Sequence, residues 1–164
     1  MRGKVMTLLL MLGVGAFAGN LPEYRALCEQ LPHLKGWQEQ KCEGMKMANP
    51  MIGEMVTASK SYSQGDRSLE VSVLSGMQAM MAWAPYQTGT MIETDESLMK
   101  VEKIDGFAVG IGYDKKDKGG AIVVQLAPNA VLVVNYEKMG WKEALKAAKR
   151  FDWKKLRGLF TGGK

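Results

Sequence analysis

A chain of 164 residues, 46% apolar and 24% charged, has the length and balance of one globular unit. With 19 Gly, 5 Pro and 2 Cys it is neither a disordered chain, nor a collagen-like repeat, nor a cysteine-stapled miniprotein. The formal charge of +5 is uneven: residues 1–18 carry +2, residues 19–140 hold 12 basic against 15 acidic side chains (−3), and residues 141–164 hold 8 against 2 (+6). The basic character therefore belongs to the two ends, and no broad cationic surface of the kind that binds nucleic acid is implied.

Residues 1–18 read as a secretory signal peptide. Arg2 and Lys4 form a positive start, residues 5–14 an apolar run, and Ala16-Phe17-Ala18 a small-residue cleavage site. The run falls short of the roughly 20 residues that span a bilayer. Cleavage after Ala18 leaves residues 19–164 as a single periplasmic or secreted domain, with no transmembrane segment.

Residues 22–31 suit a short helix, with Pro22 at its start, Tyr24, Leu27, Cys28 and Leu31 on one face, and Pro32 as its stop. In an oxidising compartment, Cys28 and Cys42 read as a disulfide tying this helix to a first strand over residues 37–42. Closing a loop of about 15 residues is worth roughly 3 kcal/mol. Two buried free thiols are the alternative; the spacing is too wide for a redox CxxC, and two Cys with one His do not complete a zinc site.

A Met- and Gly-containing stretch, residues 44–55, turns at Asn49-Pro50. Strands over 56–62 and 68–74 flank the turn Ser63-Gln64-Gly65-Asp66, the second alternating Leu69, Val71 and Val73 with polar residues. Ser75 is placed to cap a helix over 77–84 that Pro85 ends. A loop over 86–96 follows. Strands over 98–104 and 107–113 meet at Asp105-Gly106; in the second, Phe107, Val109, Ile111 and Tyr113 face one way and the small Ala108, Gly110 and Gly112 the other, inviting close approach by a helix. Strands over 121–127 and 130–136 meet at Pro128-Asn129. A C-terminal helix carries Trp141, Ala144, Leu145 and Ala148, and Phe151-Asp152-Trp153 bends into a short turn ending near Leu156. The tight hairpins require antiparallel pairing. The expected fold is α+β, a single antiparallel sheet of about seven strands flanked by an N-terminal, a middle and a C-terminal helix.

Signals for catalysis are few. His33 is the single histidine and sits at a helix–strand junction; GxSxG, HExxH, Walker A and EF-hand patterns are absent, and Gly110-Ile111-Gly112 lies inside a strand. An enzyme of unidentified class stays an alternative. The acidic group Glu93, Asp95 and Glu96 fits a solvated loop. Ten of the 13 Met follow residue 18. Met45, Met47 and Met51 offer soft thioethers for Cu(I), while Met77, Met80 and Met81, at i, i+3 and i+4, have the spacing of a core-facing helix; core packing is favoured and copper is the alternative. Lys142, Lys146, Lys149, Arg150, Lys154 and Lys155, interleaved with Trp141, Phe151, Trp153 and Phe160, form a candidate surface for anionic lipid or an acidic partner. Its bland reading is aromatics covering the sheet and lysines in water.

Gly36-Trp37, the hairpin at Gly65-Asp66, Asp105-Gly106-Phe107 and the closing Asp152-Trp153-Lys154-Lys155-Leu156 together resemble small exported bacterial proteins of unknown function, and the layout is similar to PsbP-like α+β domains. That resemblance implies a non-catalytic binding or assembly module. No cofactor is expected beyond the copper alternative, and the expected partner is an unknown protein or small ligand. It carries over no site residue.

Overall fold

The computed structural model describes residues 21–162. The expected signal peptide, residues 1–18, lies outside them. Along the chain come α1 (Tyr24–Glu29), β1 (Gln38–Glu39), β2 (Glu43–Asn49), β3 (Gly53–Gln64), β4 (Arg67–Ser75) and α2 (Met77–Trp83). A 3₁₀ turn (Ala84–Tyr86), β5 (Ile92–Glu93), β6 (Ser97–Ile104), β7 (Phe107–Asp114), β8 (Gly119–Ala127), β9 (Ala130–Glu137), α3 (Trp141–Ala148) and α4 (Trp153–Thr161) complete it.

All the strands pair antiparallel in one sheet of order β1-β3-β4-β9-β8-β7-β6-β5. β2 and β1 share one edge of β3, β2 along residues 53–59 and β1 at Tyr62 and Ser63. The sheet is thus two hairpin-built meanders, β2-β3-β4 and β6-β7-β8-β9, sewn together where β4 lies beside β9.

The two faces differ. The inner face gathers Val56, Tyr62, Val71, Val109, Ile122 and Leu132, among others, beneath α1, α3 and α4. Each such buried side chain contributes about 1.5–3 kcal/mol of transfer free energy. Aromatics of α4 and of the α3–α4 junction seal it edge-on: Phe151 against Tyr62 at 6.0 Å between ring centres, Trp153 against Phe107 at 5.6 Å. The outer face has a smaller cluster of Ala79, Tyr86, Val123, Val131 and Val133 under α2 and the 3₁₀ turn. Beyond that cover its β3–β4 part is polar, with Ser59 and Ser72 hydroxyls 2.7 Å apart across the two strands.

The α+β, antiparallel expectation holds, with differences in count and arrangement. Among the described residues the sheet has nine strands rather than seven, and four helices stand where three were expected. The strand expected over 37–42 shrinks to Gln38–Glu39, and β2 occupies a stretch without strand alternation of the usual sense. The reason is local. On β2 the inward positions are Gly44, Lys46 and Ala48, because a Cβ at Gly44 would meet the Tyr24 ring of α1 at 2.6 Å. The thioethers Met45 and Met47 face outward instead, inverting the pattern that marks a half-buried strand.

Ser75 caps no helix. Its Oγ accepts from the Val56 N–H at 2.8 Å and donates to the Val56 carbonyl at 3.2 Å, extending the β3–β4 ladder by a side chain while Gly76 (φ +76°) turns the backbone into α2. The short turn expected after Phe151 is the nine-residue α4. Asp152 accepts from the Lys155 N–H at 3.0 Å at its start, and Gly162, in the left-handed region, closes it.

Candidate functional site

The methionines are placed contrary to their spacing. Met77, Met80 and Met81 stand 55%, 62% and 70% exposed, although i, i+3, i+4 periodicity predicts a core face. What turns to the sheet from α2 is Ala79, with Ala82 and Trp83 partly buried beside it. The small Ala79 lets the helix lie close to β4 and β9, so the bulky side chains occupy the far side of α2. Met91 and Ile92 at β5 continue the apolar exposure; Ile92 lies opposite Met99, which packs on the outer cluster. The remaining large exposed apolar residues described, Met45, Met51 and Ile52, belong to the β2–β3 hairpin.

Met45 and Met47 share the outer face of β2, and Met47 lies directly across from Met55 on β3. Met51 sits in the turn at the hairpin tip, 94% exposed, where the Asn49 side chain accepts from the Met51 and Ile52 N–H groups. Spacing alone paired Met51 with Met45 and Met47; the register brings Met55 to them instead.

Cys28 and Cys42 form a disulfide across 14 positions, their Cα atoms 5.8 Å apart. The pairing is as expected, but it joins α1 to the residue preceding β2 rather than to a strand over 37–42. Leu27 and Leu31 are buried beside it in the inner core.

At the basic end, Lys142, Lys146, Lys149, Arg150, Lys154 and Lys155 are all exposed on α3, α4 and their junction. The interleaved aromatics are committed elsewhere: Phe151 and Trp153 are buried, and Trp141 and Phe160 pack against the inner core. Arg157 is structural, its guanidinium 3.7 Å over the Phe107 ring and its Nε donating to the Leu126 carbonyl at 2.9 Å.

His33 is a surface residue. Its Nδ1 lies 3.0 Å from Glu39 Oε2, while Lys60 Nζ lies 3.2 Å from the other Glu39 oxygen. Desolvation raises the Glu39 pKa, but hydrogen bonds from Lys60 and His33 and their charges outweigh it and hold the carboxyl below its ordinary range. Nearby, Gln38, Ser61, Ser63, Glu70, Asn135 and Glu137 line an open concavity of about 450 Å³ on the polar part of the outer face. Glu93 of the acidic loop pairs with Lys115 at 3.1 Å, and Thr94 Oγ1 accepts from the Glu96 and Ser97 N–H groups, which accounts for the loop as a folded turn. Among the described residues no group of three or more His, Cys, Asp or Glu is placed to hold a metal ion, and no helix is long and apolar enough to cross a membrane.

Sequence reasoning missed Tyr86, read as loop. Its ring lies on Gly110, where an added Cβ would come within 2.4 Å of it, so the small face of β7 receives an aromatic from the 3₁₀ turn rather than a helix. Pro85 was the available signal, since it suits a tight turn as well as a helix end. The chain matches no protein-family model, no curated protein and no solved structure at a significant level.

Proposed function

We propose that this is an exported, non-catalytic binding module that docks another polypeptide through the methionine face of α2. One observation carries the reading: Met77, Met80 and Met81 form an apolar stripe turned to water, on a helix whose opposite side is already packed. Thioether side chains are flexible and polarizable, which suits them to irregular apolar partner surfaces. The exposed lysines of α3 and α4 lie on the other side of the sheet, so that basic cluster does not border this stripe. Export is supported by the signal-like residues 1–18 and by the Cys28–Cys42 disulfide. The resemblance to PsbP-like domains points toward the same kind of role.

A photo-reactive side chain at position 80, compared with one at position 146 on α3, tests the reading in the producing cell. Discrete adducts from position 80 that disappear in the M77Q/M81Q background, with none from position 146, are expected. Equal labelling from both positions, or none from position 80, overturns it. Because all three side chains are exposed, Gln at 77, 80 and 81 leaves folding stability within about 0.5 kcal/mol per site.

A further inference from the structure

We infer that the outer face of the β2–β3 hairpin is a Cu(I) site built from the thioethers of Met45, Met47 and Met55. Met47 and Met55 are direct cross-strand partners, and Met45 is two residues along β2 opposite Thr57, so all three project from one face. Directly opposed Cβ atoms in an antiparallel pair lie about 4.5–5.5 Å apart and diagonal ones about 7–8 Å. Three unbranched side chains from such a triangle have the reach to bring their sulfurs to one point above the sheet.

Met45, Met47 and Met55 belong to neither hydrophobic cluster; Met45 is 49% exposed, and Met47 and Met55 are partly buried. Neutral thioethers are soft ligands that favour Cu(I) over harder or more highly charged ions. The surrounding charge is compatible with a monovalent cation. Lys46 points to the inner side, where its Nζ lies 2.8 Å from Glu23 and donates to the Leu21 carbonyl at 3.3 Å. Glu43, one pleat before Met45 on the same face, adds a carboxylate. Both cysteines are tied in the disulfide, so no thiolate competes for the metal.

These three residues are distinct from the Met77, Met80 and Met81 stripe of α2. Anaerobic titration of the disulfide-intact protein with Cu(I), in competition with bicinchoninate, tests it. One Cu(I) per chain is expected, with sulfur-only scattering at the copper absorption edge. M47L and M55L each weaken binding at least ten-fold, M51L changes it less than two-fold, and M80Q/M81Q leaves it unchanged. Leucine keeps the size and apolar character of each site, and labelled Met methyl signals supply a readout independent of folding: those of Met45, Met47 and Met55 shift with Cu(I), while that of buried Met139 does not. Failure to withdraw Cu(I) from the competitor, unaltered affinity in M47L and M55L, or an M51L loss as large as theirs overturns the site without touching the docking proposal.

Discussion

The Tyr86 ring rests on backbone where any other residue at 110 would place a carbon. A Cβ there would stand 2.4 Å from Cγ of the ring, so Gly110→Ala must displace the ring or the 3₁₀ turn that carries it. A cost of about 1–3 kcal/mol is expected, read as a lower urea midpoint with an unchanged slope. The alternation of small and large residues along 107–113 announced a close approach in the sequence; which residue approached was not legible, because Tyr86 belongs to a turn without periodicity. Glu39 supplies the pH-sensitive contact. Its lowered pKa means that its contribution to stability is present above the ordinary carboxylate value and is lost as pH falls through the lowered one. Titration of its side-chain carboxyl carbon by NMR is expected to give a midpoint below that of an ordinary glutamate, and Lys60→Met to move that midpoint upward. Tyr62 lies close by, its phenol donating to the Pro32 carbonyl at 2.8 Å; burial first, and the Glu39 charge second, push its pKa up.

Among the elements, α1 depends most on outside help. It has six residues and no side-chain cap, far short of what an isolated helix needs. Leu27 and the Cys28–Cys42 bond hold it. Replacing both cysteines with serine is expected to lower stability by about 2–4 kcal/mol in chemical denaturation, and reduction of the parent protein to add two hydrogens to its intact mass. This staple was readable from two Cys and the signal-like pattern of residues 1–18. β2 was not, because its apolar side chains face outward at a sheet edge and its inward side is made of glycine, lysine and alanine. α4 was half readable: a short turn ending near Leu156 was expected, while charges at 154, 155 and 157 among the apolar positions obscured the longer helical stripe.

At the scale of the molecule, antiparallel hairpins and an α+β layout were legible because they rest on local turns and alternation. The division of labour between the faces was not. It required knowing that Ala79 rather than the bulky methionines seats α2, which places the thioethers on one side of the sheet and the exposed lysines of α3 and α4 on the other. Nor could any local pattern reveal that β4 lies beside β9, with Ser68 and Glu137 hydrogen-bonded across 69 positions of sequence. That seam sets the timetable of assembly. During synthesis the first meander is complete while β9 has yet to emerge, and the free margin of β4 waits with an unsatisfied row of amides and carbonyls, a template for stray chains. Ser68, Glu70 and Ser72, lining one side of that margin, are the sort of residues that keep such an interval from ending in aggregation.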